Sequence, residues 1–80
     1  MKINLELIKK TRSERDYTIY DLAEHLGLSD GSQYWKRENG HYKFKADELI
    51  LISQKFDIPI EKLFLSTDYS KTEILSKEVI

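Results

Sequence analysis

The chain has 80 residues, 40% of them hydrophobic and 34% charged, with a formal net charge of −1, the balance of one soluble globular domain around a single core. It has no cysteine, which excludes disulfides and thiolate–metal sites, and no apolar run approaches the roughly 20 residues that cross a bilayer. The opening Met1-Lys2-Ile3-Asn4-Leu5-Glu6 is polar and lacks the apolar stretch of a signal peptide, so the cytoplasm is the expected compartment.

Leu5, Ile8 and Thr11-Arg12 recur at helical spacing, which predicts a first helix over about 5–15. Thr18 then offers an N-cap hydroxyl, with Asp21 adding an acid in the first turn. Ile19, Leu22, Ala23 and Leu26 fall at i, i+3, i+4 and i+7, one apolar stripe, and Gly27 follows where a left-handed residue stops a helix most easily. A short second helix over about 18–26 is expected. After the turn Gly27-Leu28-Ser29-Asp30-Gly31, residues Ser32 to Asn39 fit a third helix closed by Gly40. Tyr34 and Glu38 share one of its faces; Ser32, Lys36 and Asn39 share the opposite one.

His41–Lys45 reads as a polar, basic loop. Ala46, Leu49, Ile50, Ile52 and Phe56 give a fourth helix, and Pro59 suits the first position of a fifth, with Ile60, Leu63 and Phe64 turned inward. Beyond Leu65 the pattern fades. Asp68-Tyr69-Ser70-Lys71 reads as a turn or linker, and 72–80 fits strand or helix equally well. The expected organisation is a domain over 1–66 and a C-terminal tail over 67–80.

The charges are unevenly placed. Lys2, Lys9, Lys10, Arg12 and Arg15 face only Glu6 and Glu14 in the first fifteen positions, and Lys36, Arg37, Lys43 and Lys45 face Glu38 alone in 31–45. Asp16, Asp21, Glu24 and Asp30 separate these basic segments, and further acids run from Asp47 to Glu78. Either the fold gathers the two basic segments onto one face, or they simply solvate helix surfaces. His25 and His41 have no cysteine or paired carboxylate beside them and read as surface residues, so neither a metal site, a cofactor nor an enzyme is expected.

Two short helices joined by a glycine turn make a specific arrangement when a small residue stands where they cross and the second helix has an outward polar side. Ala23 and the Ser32/Lys36/Asn39 face supply both. The run from Thr18 to Ser29, the Glu38-Asn39-Gly40 ending and the stretch from Leu49 to Phe64 resemble the Cro and phage-repressor family of helix-turn-helix regulators, over about residues 5–65. The resemblance implies an all-α, five-helix, lambda-repressor-like domain that binds double-stranded DNA as a homodimer on an inverted repeat, as a small transcriptional regulator of repressor type. It implies that the third helix enters the major groove, with Ser32 and Lys36 at base-reading places and Gln33 and Trp35 at the edges of that face. Lysine can donate to the O6 and N7 acceptors of guanine. Asn39 and Gly40 would offer backbone amides to a phosphate, and Lys43 and Lys45 would sit near the DNA backbone or remain solvated loop cations. Arg12 and Glu38 occupy the places of a family ion pair that locks the third helix to the first.

Two departures stand out. Ile19 replaces the glutamine that touches a phosphate in the family, and the turn is one residue longer, with Asp30-Gly31 before the third helix. Asp30 either repels phosphates or caps the third helix, with Gln33 completing a capping box. Tyr42 and Phe44 either stack on sugars or close the core beneath the loop, and Trp35 is either an outward contact or packed. Phe56, Ile60 and Phe64, with Ile74, Leu75, Val79 and Ile80 of the tail, offer apolar surface for a dimer. An antitoxin or immunity-type protein, using the same fold to bind a protein partner, is the alternative function.

Overall fold

The computed structural model describes residues 2–65; the expected tail over 67–80, with Ile74, Leu75, Val79 and Ile80, lies outside them. Four α-helices follow in order, α1 (Leu5–Glu14), α2 (Ile19–His25), α3 (Gly31–Glu38) and α4 (Ala46–Phe56), then a short 3-10 turn, Ile60–Leu63. Each start has a polar anchor. The Asn4 side chain accepts from the Leu7 amide at 3.1 Å. Thr18 and Asp21 form a full capping box, with Thr18 Oγ1 accepting from the Asp21 amide at 3.0 Å and Asp21 accepting from the Thr18 amide at 2.8 Å. Those bonds hold the Asp21 carboxyl below its ordinary value, the backbone bond from Thr18 being the largest cause.

All four α-helices end alike. The chain turns through a left-handed residue, Asp16, Gly27, Gly40 or Asp57, with φ between 55° and 84°. The following amide then reaches back to the last turn: Tyr17 to the Arg12 carbonyl, Leu28 to Ala23, His41 to Lys36 and Ile58 to Ser53, at 2.8–3.1 Å. Two of these positions are glycine, as the sequence predicts; the two aspartates bear both the left-handed strain and a negative charge at the wrong end of a helix dipole. Asp57→Gly is therefore expected to stabilise the fold by about 0.5–1 kcal/mol, read as a higher thermal midpoint.

The core comprises Ile8, Leu22, Ala23, Leu26, Tyr34, Phe44, Leu49, Ile52, Phe56 and Leu63. Ala23, 3% exposed, belongs to this core, in the helix that packs against α3. Phe44 is buried and meets Tyr34 edge-on at 6.0 Å, so it closes the core beneath the loop. Tyr42, expected to share that role, is instead 45% exposed.

The end of the domain differs from expectation. The fifth element is a four-residue 3-10 turn preceded by Pro59, in which only Leu63 is fully buried and Ile60 is 36% exposed. Phe64 is extended and pairs with Ile3 in an isolated antiparallel bridge. The Asn4 amide donates to the Leu63 carbonyl at 2.7 Å and the Leu65 amide to the Lys2 carbonyl at 2.8 Å, tying the two ends of the described chain together. One further expectation fails: Phe56, proposed as dimer surface, is fully buried, while Ile50 of the same helix faces outward, 48% exposed.

Candidate nucleic-acid interface

The α3 helix has two chemically distinct sides. Gly31, Tyr34, Arg37 and Glu38 are buried, while Ser32 and Trp35 are exposed and Gln33, Lys36 and Asn39 half-buried. Two buried ion pairs fasten the inner side. Arg12 of α1 grips Glu38 with both nitrogens of its fork, Nε to Oε2 at 2.8 Å and a terminal nitrogen to Oε1 at 3.1 Å, and its other terminal nitrogen donates to the Tyr17 carbonyl. The Tyr34 hydroxyl donates to the same Oε2 at 2.8 Å. The hydrogen bond to Glu38 raises the Arg12 pKa, and burial, with the Glu38 charge beside it, pushes the Tyr34 phenol far above its ordinary value. Arg12 thus stays charged, and the Tyr34 phenol stays neutral and able to donate.

Arg37, counted as a surface cation from the sequence, forms the second pair. Its Nε donates to Glu48 at 3.0 Å, with side-chain exposures of 9% and 7%, and a terminal nitrogen donates to the Gln33 carbonyl. Glu48 also accepts from the Lys45 amide at 2.9 Å, which fixes the start of α4. Arg15 likewise leaves the expected basic face, donating to the Phe56 carbonyl at 2.6 Å at the end of α4. No local pattern signals these partners, because both are far away in sequence.

The longer turn is accommodated at both of its ends. Asp30 caps α3, which begins one residue earlier than expected, at Gly31. Its Oδ1 accepts from the Gln33 amide at 3.1 Å and from the Ser32 hydroxyl at 2.7 Å, and these bonds, the Ser32 one first, hold its carboxyl below the ordinary value. Only one half of the expected capping box forms. A side chain at Gly31 would meet the Tyr20 ring at 2.8 Å and Ile19 at 3.4 Å, so glycine lets the start of α2 close over the start of α3. Ile19 packs against the core, a different use of the place that glutamine occupies in the resembled family.

Around the outer side, Trp35 stacks on His41 at 5.4 Å, and Asn39 donates its side-chain amide to the Trp35 carbonyl at 2.9 Å. Lys43 and Lys45 are exposed beyond α3, and Lys2 and Lys43 line one apolar groove of about 670 Å³ with Leu5, Phe44, Leu49 and Phe64 among its walls. The two basic segments thus meet through Lys2 and Lys43, while Arg12 and Arg37 are bound within the fold and Arg15, exposed, is tied to the Phe56 carbonyl. His25, expected at the surface, is half-buried and donates through Nε2 to the Leu51 carbonyl at 3.2 Å. Among the described residues no group of three His, Asp or Glu side chains could hold a metal ion, and no helix is long and apolar enough to cross a membrane.

The family described as "Helix-turn-helix domain" matches residues 5–69, most of the chain. The chain belongs to this helix-turn-helix family. No curated protein and no solved structure gives a significant match to it. Membership in the helix-turn-helix family points to DNA binding by a regulator, a role carried by binding surfaces rather than by catalytic groups. Within this helix-turn-helix domain α2 and α3 are two short helices packed together, with Gly27 in the turn between them.

Proposed function

We propose that the chain binds double-stranded DNA sequence-specifically as a small cytoplasmic repressor, acting as a homodimer on an inverted repeat, with α3 laid in the major groove. The observation that carries this reading is the division of α3: an inner side clamped by Arg12–Glu38 and Arg37–Glu48, and an outer side free to meet base edges. On it, Ser32 and Lys36 read bases, with Gln33 and Trp35 at the margins. Asn39 binds its own helix through its side chain, and its backbone amide and that of Gly40 donate to the Trp35 and Arg37 carbonyls, so the expected phosphate contact of these two amides has no free donor. Lys43 and Lys45 hold the DNA backbone.

Lys36→Ala is expected to weaken binding to the duplex that the protein selects by about 1–3 kcal/mol and to weaken binding to scrambled duplex much less. Equal loss on both, in a titration by fluorescence anisotropy, reduces Lys36 to a phosphate contact. An antitoxin-like role with a protein partner is the second reading. The exposed aromatics Tyr20 (74%), Trp35 (47%) and Tyr42 (45%) favour it, since aromatic side chains are enriched at protein interfaces. Salt separates the two. DNA affinity that falls steeply with salt supports the first, and a flat response without sequence preference supports the second.

A further inference from the structure

The loop after α3 folds back on the helix it follows. The amides of His41 and Tyr42 both donate to the Lys36 carbonyl, at 2.8 and 3.2 Å. This sets the His41 ring on Trp35 and brings the Tyr42 ring to 5.2 Å from the Lys36 ammonium. Core packing does not hold Tyr42, which is 45% exposed. The backbone attachment and two cations orient it instead, for the Arg37 guanidinium carbon lies 5.8 Å from the same ring. Arg37 is anchored on Glu48, and Glu48 on the Lys45 amide. A continuous line of contacts therefore runs from the start of α4 through Glu48, Arg37 and Tyr42 to Lys36.

We infer that Tyr42 is a positioning residue for Lys36: its ring restricts where the ammonium can point, so that sequence preference, and not attraction to DNA in general, depends on it. The inference rests on the reading of Lys36 as a base-reading residue. A lysine aimed at one base edge loses much of the freedom of its four-carbon stem, and a ring that already restricts the stem removes part of that loss before DNA arrives. Attraction to phosphate requires no such restriction, because a point charge finds many equivalent oxygens along a backbone.

The test selects duplexes from a random-sequence library with the wild type, Lys36→Ala, Tyr42→Leu and Tyr42→Phe, then measures each protein on the wild-type winner and on its scrambled counterpart. Tyr42→Leu is expected to lose roughly two- to fivefold on the winner, with scrambled binding unchanged, and to relax preference at the same base positions as Lys36→Ala. Tyr42→Phe, which keeps the ring face, retains the wild-type preference. In the DNA-free protein, the Lys36 methylene proton resonances move toward random-coil positions in Tyr42→Leu and stay put in Tyr42→Phe. Failure of the wild type to enrich any sequence overturns the base-reading role of Lys36 itself. Retained preference in Tyr42→Leu, where Lys36→Ala has lost it and both proteins melt as the wild type does, overturns the positioning role alone. Equal loss by Tyr42→Leu on both duplexes also overturns it.

Discussion

Arg12→Ala is expected to lose about 3–5 kcal/mol of folding stability, read from the urea midpoint with the slope checked for two-state behaviour. The cost arises on the other partner. The Glu38 side chain is 1% exposed, and without the guanidinium it keeps one neutral donor, the Tyr34 hydroxyl, for a buried negative charge. Tyr17 also loses its carbonyl partner at the entry to α2. An apolar replacement of the whole cluster, Arg12→Met with Glu38→Leu and Tyr34→Phe, removes the orphaned charge and hydroxyl, leaves only the Tyr17 carbonyl without its donor, and is expected to recover most of the loss. A triple variant as unstable as Arg12→Ala would mean that packing around the arginine stem, not the charge pair, holds α3 to α1.

Arg37→Ala separates two readings of one residue. As a solvated cation on a basic segment it would shift stability by no more than about 0.5 kcal/mol. In the structure its loss leaves Glu48 buried and charged, with the Lys45 amide as its remaining partner, and the expected cost is about 3 kcal/mol. Hydrogen exchange should locate the damage in the last turn of α3 and the first turn of α4, which the pair joins. A small change in midpoint with uniform exchange would return Arg37 to the surface.

Local signals in the sequence foretold the helices well because their causes are local. The Thr18 hydroxyl, the apolar stripe of Ile19, Leu22, Ala23 and Leu26, and the positive φ at Gly27 all act within one or two turns. Asp16 and Asp57 escaped notice because aspartate enters the left-handed region less readily than glycine and carries no comparable signal. Arg37–Glu48, Arg15 with the Phe56 carbonyl and the Ile3–Phe64 bridge were illegible for another reason: each joins residues that only the finished fold brings together. Composition treats Arg37 and Lys36 alike, although one is buried in an ion pair and the other stands beside a half-open ring. The Arg12–Glu38 pair was visible only through resemblance, since nothing in either residue's neighbourhood names the other.

Arg12 and Arg37 hold their guanidinium groups in ion pairs inside the fold, and Arg15, though exposed, donates to a backbone carbonyl, whereas the described lysines are exposed or half-buried. Apart from Arg15, whatever approaches the outside therefore meets compact, strongly hydrated ammonium groups on flexible stems, not planar forks matched to paired acceptors. Two kinds of mutational drift are thereby uncoupled. Exchanges among the outer lysines can retune partner choice while melting behaviour stays constant, but a charge-conserving arginine-to-lysine exchange at position 12, 15 or 37 would loosen the frame without touching any partner.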